Sequence, residues 1–179
     1  AISTIDPQKD VDGFHPYNMG KVVLNQFDET MFPPATPFGV MKMLEQYEVE
    51  LAGKNAVVIG RSNIVGKPMA LMLLHKNATV SVCHSKTRNM NEFTRNADVI
   101  VSAVGSPKLV TADMVKEGAF VIDVGTTKTS DGKLTGDVDF ENVIKKANCS
   151  PVPGGVGPLT VAMLIRNTVE AAKRAKNSK

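Results

Sequence analysis

Residues 56–68 read AVVIGRSNIVGKP, and this stretch decides the predicted fold. A short apolar run that ends at Gly60 is typical of a buried parallel strand, and a helical pattern follows from Pro68. Glycines at such a strand-to-helix turn let main-chain N–H groups approach a phosphate closely. Ser62 replaces the second glycine of a G-x-G-x-x-G motif, and Pro68 after Lys67 excludes a Walker A loop. The stretch predicts a phosphate cradle, and a plain turn with packing glycines stays open as the alternative.

Three more apolar runs of this kind follow along the chain, and helical patterns separate them. Strands that alternate with helices predict an α/β fold built on a doubly wound parallel sheet, a Rossmann-like arrangement. Such sheets bind ligands at the carboxyl ends of their strands. The predicted strands cover residues 56–60, 78–83, 98–104 and 119–125, and the predicted helices cover residues 68–75, 90–96 and 111–116.

The end of the second predicted strand indicates which dinucleotide the sheet binds. NAD sites usually place Asp or Glu there for the ribose 2′-hydroxyl, but no carboxylate occurs between Gly66 and Glu92. The strand is followed instead by hydroxyls and cations, in the sequence HSKTR at residues 84–88, and Arg61 can approach from the first loop. Such cations suit a 2′-phosphate. The pattern favours NADP, with a solvated basic turn as the alternative.

Composition argues against several other classes of protein. The 179 residues carry 21 basic and 18 acidic side chains, a net charge of +3, and no tryptophan. So small an excess gives no general attraction to nucleic acid or to a membrane surface. Two distant cysteines and three scattered histidines predict neither a disulfide framework nor a metal site. We therefore expect no metal, nucleic-acid or membrane partner, and a cytoplasmic location, with an organelle left open.

The first 35 residues are rich in residues that break helices. Within them, Tyr17 and Lys21 have the Y-x-x-x-K spacing that places a catalytic pair on one helix face. Pro16 and Gly20 argue against a stable helix at this place. The sequence therefore predicts that the two residues form no catalytic pair.

Local signals predict three further elements outside the sheet. Thr36 is placed to cap a helix that has Pro37 at its first position. The Asp131–Gly132 pair predicts a hairpin turn. A short helix is predicted over residues 139–147.

Two segments could meet a ligand other than the dinucleotide. Asp10 and Asp12 point in opposite directions if the segment is extended, so they form no acid–base pair. One of them could accept hydrogen bonds from adjacent N–H donors, such as those of a pterin ring, or could stabilise a turn. Residues 151–158, PVPGGVGP, are too rich in breakers for a helix and could either admit a ligand or merely end the sheet. A long amphipathic helix is predicted over residues 159–175.

Four motifs that occur in order along the chain carry a family resemblance. They are KDVDGFH at residues 9–15, Thr36–Pro37, VIGRSNIVGKP at residues 58–68 and PVPGGVGP at residues 151–158. In these motifs the chain resembles the methylenetetrahydrofolate dehydrogenase/methenyltetrahydrofolate cyclohydrolase family. The resemblance implies NADP-dependent oxidation of 5,10-methylenetetrahydrofolate and hydrolysis of the methenyl product to 10-formyltetrahydrofolate. It also implies a role in one-carbon metabolism and purine biosynthesis, and a homodimer joined through the cofactor domain.

The resemblance further implies roles for individual residues, grouped by the ligand that each would meet. On the folate side, Asp12 would bind the pterin, and the loop carrying Pro153, Gly154 and Gly155 would border both folate and cofactor. The cofactor-binding residues would be Gly60, Arg61 and Ser62 around the phosphates, Ser85 at the 2′-phosphate and Thr126 beside the nicotinamide.

The same resemblance implies how the chain is divided. Residues 1–35 would be the tail end of a folate-side catalytic domain, residues 36–157 the NADP-binding domain, and residues 158–179 a helix that returns to the folate side. The family's catalytic lysine belongs to a Tyr-x-x-x-Lys motif placed upstream of residue 1, and Tyr17 and Lys21 align with a later loop. We therefore expect no certain catalytic residue within the chain.

Two alternatives to the bifunctional enzyme remain open. The chain could be a non-catalytic fragment that binds NADP and dimerises, or an NADP reductase that acts on a non-folate substrate. If the folate-side domain does not cover the last helix, an apolar face of that helix should be exposed. That face consists of Val161, Leu164, Ile165, Thr168 and Val169.

Overall fold

The structure is a computed structural model that describes residues 2–177. Before the sheet begins, the chain forms a 3-10 helix over Ile2–Thr4, helix α1 over Pro16–Val23 and helix α2 over Ala35–Gln46. The sheet region contains β1 (Asn55–Ile59), α3 (Gly66–His75), β2 (Thr79–Cys83), α4 (Met90–Thr94), β3 (Val99–Ser102) and β4 (Phe120–Asp123). The remaining elements are β5 (Thr127–Lys128), β6 (Leu134–Thr135), α5 (Phe140–Val143), β7 (Asn148–Cys149) and α6 (Val156–Asn177).

Five of the strands form one parallel sheet in the order β2-β1-β3-β4-β7. The chain moves outward from β1 to β2 and then crosses back to β3, on the other side of β1. This reversal of direction makes a topological switch point between the ends of β1 and β3. The predicted doubly wound α/β fold is therefore confirmed. The remaining pair, β5 and β6, is antiparallel and forms the hairpin predicted around Asp131–Gly132.

The apolar runs of β1, β3 and β4 predicted strands because both faces of the sheet are buried at these central strands. Successive residues of a strand point to opposite faces, so each strand feeds two cores. In β1, Val57 and Ile59 pack into one core while Val58 packs into the other. In β3, Ile100 joins the first core and Val101 the second. Helix α3 covers one face with buried methionine and leucine side chains.

The expectation that no helix forms around Tyr17 is wrong, because α1 contains both expected breakers. Pro16 lies in the first turn, where its missing N–H removes no helical hydrogen bond. The side chain of His15 accepts a hydrogen bond from the N–H of Tyr17 and caps the helix. Val22 is fully buried in the core, and this burial offsets the low helix propensity of Gly20.

Thr36 does not cap α2 as predicted. The helix already begins at Ala35, with Pro34 at the cap position and no side-chain cap. The hydroxyl of Thr36 is instead hydrogen-bonded to that of Thr160 in α6, at 3.1 Å. The sequence signal therefore marked the start of the helix to within two residues but gave Thr36 the wrong partner.

Three predicted helices are shorter than expected: α4 ends at Thr94 rather than at residue 96, and two others are reduced further. The predicted helix at residues 111–116 is a 3-10 helix over Ala112–Met114, and the one at residues 139–147 is reduced to α5. After α5 the chain turns through residues 144–147 and then forms β7, which pairs with β4 as the last strand of the sheet. The sequence did not predict β7, since two residues show no periodicity.

The final helix begins earlier than predicted, so residues 156–158 are helical although they belong to the glycine- and proline-rich segment. Pro158 lies in its first turn, where no N–H is required. Helix α6 packs along α2, and Gly39 allows the close approach of Leu159. The predicted apolar face is confirmed as largely exposed, with Leu164 half-buried and the rest exposed: Val161, Ile165, Thr168 and Val169.

None of the helices within residues 2–177 combines the length and the apolar character needed to cross a membrane.

Candidate functional site

The carboxyl ends of the parallel strands lie on one side of the sheet, which we call its carboxyl edge. At the switch point on this edge, two main-chain segments are in close contact. Hydrogen bonding between β1 and its neighbours continues one residue past the strand, from Gly60 N–H to Cys83 O and from Ala103 N–H to Ile59 O, each at 2.8 Å. Gly60 has φ +118°, and a Cβ at this position would lie 2.6 Å from Ala103 O. Only glycine fits here, so the loops after β1 and β3 touch through their main chains.

The turn from β1 into α3 presents main-chain donors toward solvent. The hydroxyl oxygen of Ser62 accepts from the N–H of Val65 at 3.1 Å and from that of Gly66 at 3.3 Å. Ser62 therefore organises the turn through its side chain, a role that the sequence did not reveal. Within the described chain, four successive main-chain N–H groups donate to no protein atom, those of residues 61–64. Free N–H groups next to a helix N-terminus form an anion-binding site.

The segment that follows β2 lies beside this turn and is polar. The side chain of His84 accepts from the N–H of Lys86 at 3.2 Å, and the hydroxyl of Thr87 accepts from the N–H of His84 at 2.9 Å. These bonds fix the main chain and leave three side chains exposed beyond it, Ser85, Lys86 and Arg88. Arg61 is exposed at the end of the neighbouring β1. The structure thus brings Arg61 and Ser85 to adjacent strand ends.

A cavity of about 510 Å³ opens at the same edge, farther along the sheet. It lies between the end of β4, the loop after β7 and the first turn of α6. Val65 from the glycine turn also lines it. The cavity contains four of the predicted site residues, Thr126, Pro153, Gly154 and Gly155. The Val152–Pro153 peptide bond is cis, and Gly154 has φ +103°.

Asp12 lies elsewhere, on a turn held against the middle of α6. The buried amide of Asn167 donates to Val11 O at 2.9 Å and to Pro33 O at 3.1 Å. Asn167 lies eleven residues after the first residue of α6, which corresponds to about 16 Å along the helix axis. Asp12 itself is exposed and does not line the cavity.

Of the two neighbouring carboxylates, Asp10 is the one that stabilises the turn. Asp10 is buried and accepts from the N–H of His15 and from the amide of Asn18, each at 2.7 Å. Gly13 completes the turn at φ +75°, where a Cβ would collide with the main chain of residues 32–34. The two carboxylates therefore differ in their surroundings, since Asp10 is bonded within the turn and Asp12 is exposed.

Sequence reasoning missed two buried carboxylates at the carboxyl edge, Asp123 and Asp137. Asp123 ends β4 and is 2% exposed, and it accepts hydrogen bonds from three main-chain N–H groups: those of Gly125, Asp137 and Val138. Asp137 is fully buried and accepts from the hydroxyl of Ser102 and the N–H groups of Val104 and Ser106. Asp123 falls within the strand predicted over residues 119–125, although its main-chain partners were not predicted, and nothing in the local sequence distinguishes Asp137 from an acid of a surface loop.

Burial controls the acid–base properties of this edge. It raises the pKa of Asp123 above 3.8, although hydrogen bonds from main-chain N–H groups oppose the shift. Burial, followed by the charge of Asp123, raises the pKa of the Cys149 thiol to about 12. Burial therefore favours the protonated thiol, as is typical of a structural cysteine rather than a reactive one.

Tyr17 and Lys21 share one face of α1, and both contact side chains of the segment that follows this helix. The ammonium of Lys21 lies 2.7 Å from a carboxylate oxygen of Asp28 and contacts the hydroxyl of Thr30. The hydroxyl of Tyr17 is 3.3 Å from the same Thr30 hydroxyl. Neither residue lines the cavity at the carboxyl edge. The arrangement supports the expectation that the pair is not catalytic, although the helix itself was not predicted.

Comparison with known proteins relates the chain to enzymes of folate metabolism. The family described as "Tetrahydrofolate dehydrogenase/cyclohydrolase, NAD(P)-binding domain" matches residues 34–176. The bifunctional protein FolD of Nitrosospira multiformis is 61% identical over 176 residues, which cover 98% of this chain and 60% of that protein.

Two solved structures are also similar to this chain. The crystal structure of the bifunctional FolD enzyme, a methylenetetrahydrofolate dehydrogenase/cyclohydrolase, from Campylobacter jejuni superimposes with a TM-score of 0.94 at 55% identity. The match covers 97% of this chain and 61% of that one. The Trypanosoma brucei FolD, solved with NADP cofactor and an inhibitor, gives a TM-score of 0.91 at 42% identity, with 97% and 61% of the two chains covered. The chain thus spans about three fifths of the length of these relatives.

Proposed function

Because the chain belongs to the tetrahydrofolate dehydrogenase/cyclohydrolase family, we propose that its protein oxidises 5,10-methylenetetrahydrofolate with NADP and hydrolyses the methenyl product. The oxidation yields 5,10-methenyltetrahydrofolate and NADPH, and addition of water then opens the ring to give 10-formyltetrahydrofolate. The observation that carries the proposal is the family match over residues 34–176, a region that contains both the switch point and the cavity.

The residues at the switch point fit a dinucleotide. A Cβ on Gly60 would fill the space at the crossing, and a Cβ on Gly66 would overlap Gly60 O. The four free N–H groups of residues 61–64, in the turn that precedes α3, suit a pyrophosphate. We assign Gly60, Arg61 and Ser62 to this cradle, with Ser62 acting through the turn that its hydroxyl organises.

NADP is proposed rather than NAD because of the residues next to β2. Ser85 and the guanidinium of Arg61 lie at adjacent strand ends, where the ribose of the adenosine half binds in this fold. The segment of residues 67–91 contains no carboxylate that could accept from a 2′-hydroxyl. The Trypanosoma brucei relative, whose structure holds NADP, supports the same choice.

The folate side is proposed to lie across the cavity from the cofactor. Bound NADP would supply the hydride acceptor for the bridging carbon of the folate. Thr126 would line the nicotinamide side, and Pro153, Gly154 and Gly155 would border both ligands, because all four line the cavity. Asp12 would accept hydrogen bonds from the pterin, for which its exposed carboxylate is available. The protein's contribution to hydride transfer is then to hold the two reacting carbons close together.

Three further features belong to the proposal. The division into residues 1–35, 36–157 and 158–179 is part of the proposal; the family match begins near its first boundary, at residue 34, and continues through the last helix to residue 176. A cytoplasmic location fits two cysteines that are both free. A homodimer follows from the family resemblance, and sedimentation of the protein with and without NADP tests it.

The experiment that tests the proposed function combines binding with turnover. NADP is titrated calorimetrically into the protein, and NADPH formation is then followed after addition of 5,10-methylenetetrahydrofolate. We expect NADP to bind at least ten times more tightly than NAD. Binding without NADPH formation would assign cofactor binding alone to residues 1–179 and leave catalysis to a protein of the relatives' full length. Failure to bind NADP would contradict the proposal.

A further inference from the structure

We propose that Asp137 is a positioning residue, which fixes the loop after β3 for the nicotinamide half of the dinucleotide. The inference rests on the proposed NADP site and adds a residue that lies outside the four family motifs. It concerns a buried carboxylate that touches neither the cavity nor the glycine turn. Its function must therefore be exerted through the main chain that it holds.

Asp137 holds one short segment by three hydrogen bonds. One carboxylate oxygen accepts from the hydroxyl of Ser102 at 2.9 Å and from the N–H of Val104 at 2.8 Å. The other accepts from the N–H of Ser106 at 2.7 Å. All three donors belong to the end of β3 or to the loop that follows it. The carboxylate therefore fixes the path of residues 102–106.

This loop forms one wall of the switch point. Ala103 O is the atom that a Cβ on Gly60 would meet at 2.6 Å, so the loop after β3 sets the width of the crossing. The hydroxyl of Thr127 donates to Gly105 O at 3.2 Å, which ties the loop to the strand beside Thr126. Residues 103–106 thus lie between the phosphate cradle and the nicotinamide side.

Asp123 fixes Asp137 in turn. The N–H groups of Asp137 and Val138 donate to the two oxygens of Asp123 at 3.0 and 2.9 Å, and that of Gly125 donates at 3.0 Å. A Cβ on Gly125 would overlap the Asp137 carboxylate, and one on Gly136 would overlap that of Asp123. The loops after β3 and β4 are therefore set by one interlocked pair of carboxylates.

The geometry requires a carboxylate at residue 137 rather than an amide. Both oxygens face main-chain N–H donors, and an amide offers only one oxygen and adds a donor group. In Asp137→Asn, either Val104 N–H or Ser106 N–H faces another donor, so the loop must move to relieve the contact. The adenosine half of NADP, held at the ends of β1 and β2, lies on the other side of the switch point.

The test compares a whole ligand with half of it. NADP and adenosine 2′,5′-bisphosphate are each titrated calorimetrically into the wild-type chain and into Asp137→Asn. We expect the variant to bind NADP at least tenfold more weakly while its affinity for the bisphosphate stays within twofold. The matched control is Asp98→Asn, at the opposite end of β3, where the carboxylate accepts from Asn55 N–H and pairs with Lys116. Asp98→Asn should leave both affinities within twofold.

Two results would overturn the inference while leaving the proposed function intact. The first is an equal loss of affinity for both ligands in Asp137→Asn, which indicates general damage to the fold. The second is an unchanged affinity of that variant for NADP. If Asp137→Asn does not fold, Ser102→Ala decides, because it removes only the hydroxyl bond to Asp137. That variant should bind NADP about threefold more weakly, and its affinity for the bisphosphate should stay unchanged. If the wild-type chain binds neither ligand, the proposed function itself has failed.

Discussion

The acidic residues at the two ends of the parallel strands have different partners. We call the end where the strands begin the amino edge and the end where they finish the carboxyl edge. At the amino edge, Asp98 lies immediately before β3, is partly exposed, and pairs with the ammonium of Lys116 at 2.6 Å. At the carboxyl edge, the acids Asp123 and Asp137 are buried, and they accept hydrogen bonds from main-chain N–H groups and from the hydroxyl of Ser102. The acid at the amino edge is paired with a cation, whereas the acids at the carboxyl edge are stabilised by hydrogen bonds from N–H and hydroxyl groups.

The difference separates what stabilises the fold from what shapes the site. An exposed ion pair contributes about 1 kcal/mol or less and tolerates change. Buried carboxylates bonded to loop N–H groups instead fix the main chain of those loops, and the loops then form the crossing where a dinucleotide binds. Changes at the amino edge should therefore alter stability alone, whereas changes at the carboxyl edge should alter ligand binding as well.

The largest contrast is expected between two glycines with positive φ. Gly60→Ala combines a φ of +118° with a Cβ 2.6 Å from Ala103 O, so it should cost about 2–5 kcal/mol of stability and weaken NADP binding at least tenfold. Gly53→Ala, beside the amino edge, has φ +74° with no atom near the new Cβ. It should cost about 1–2 kcal/mol and leave binding unchanged. Urea unfolding and calorimetry measure the two quantities.

Similar behaviour of these two variants would contradict the proposed difference between the two edges. Equal losses of stability would mean that the close approach of the loops after β1 and β3 is not tight. A loss of NADP affinity in Gly53→Ala would show that the amino edge also acts on the site.

The next effect concerns the choice of cofactor. Arg61→Ala should weaken NADP about tenfold to a hundredfold, because a charge-assisted contact to the 2′-phosphate contributes about 1.5–3 kcal/mol. NAD, which lacks that phosphate, should lose less than threefold. The matched change at the amino edge is Lys116→Ala, which removes a cation without touching the site. Similar losses for NADP and NAD in Arg61→Ala would refute the assignment of this guanidinium.

A smaller effect is expected in the acid titration of the two edges. The bond from Lys116 lowers the pKa of Asp98 below 3.8, so its stabilisation is complete above pH 3.8 and is lost as the pH falls through the lower folded pKa. Burial raises the pKa of Asp123, so its ionisation costs stability as the pH rises from 3.8 through the higher folded pKa. Carbon-13 NMR of the carboxyl groups should show midpoints on opposite sides of 3.8.

Lys116→Ala is the control variant for this titration. It should return the midpoint of Asp98 toward 3.8 and lower stability at pH 7 by about 0.5–1 kcal/mol, a loss that disappears in acid. The midpoint of Asp123 should not change. A midpoint for Asp123 below 3.8 would show that its three N–H donors outweigh burial, and the predicted contrast between the two edges would then be wrong.

The smallest effect is expected away from both edges. Tyr17→Phe removes a hydroxyl whose side-chain partners are Thr30 and Lys21 on the surface, so NADP affinity should stay within twofold. Any dehydrogenase activity should stay within a few-fold of wild type in the NADPH assay. A loss of several hundredfold would mean that Tyr17 and Lys21 are catalytic after all.

The sequence predicted the sheet well because its central strands, β1, β3 and β4, are buried on both faces and read as apolar runs. It failed where tertiary packing decides the local structure. Pro16 and Gly20 argued against α1, but a cap from His15 and the burial of Val22 stabilise the helix. β7 carries no pattern at all, since its two residues are strand only through pairing with β4.

The candidate site shows the same division between local and tertiary information. The glycine turn is one continuous segment of sequence, and so is the basic segment after β2, so each could be recognised from the sequence. Asp123 and Asp137 are fourteen residues apart, and their burial depends on the hairpin that brings them together. The sequence pattern therefore placed Asp123 at the end of a strand, but the contacts that join it to Asp137 were out of reach of sequence patterns.

Hydrogen–deuterium exchange with and without NADP tests most directly whether the carboxyl edge is the cofactor site, because it locates the ligand along the chain. We predict that NADP slows exchange at the carboxyl edge, in residues 60–66, 84–88 and 103–106, and leaves the amino edge around residues 52–55 and 116–119 unchanged. Slowed exchange at the amino edge, or NADP binding that leaves the glycine turn as fast as before, would contradict this assignment.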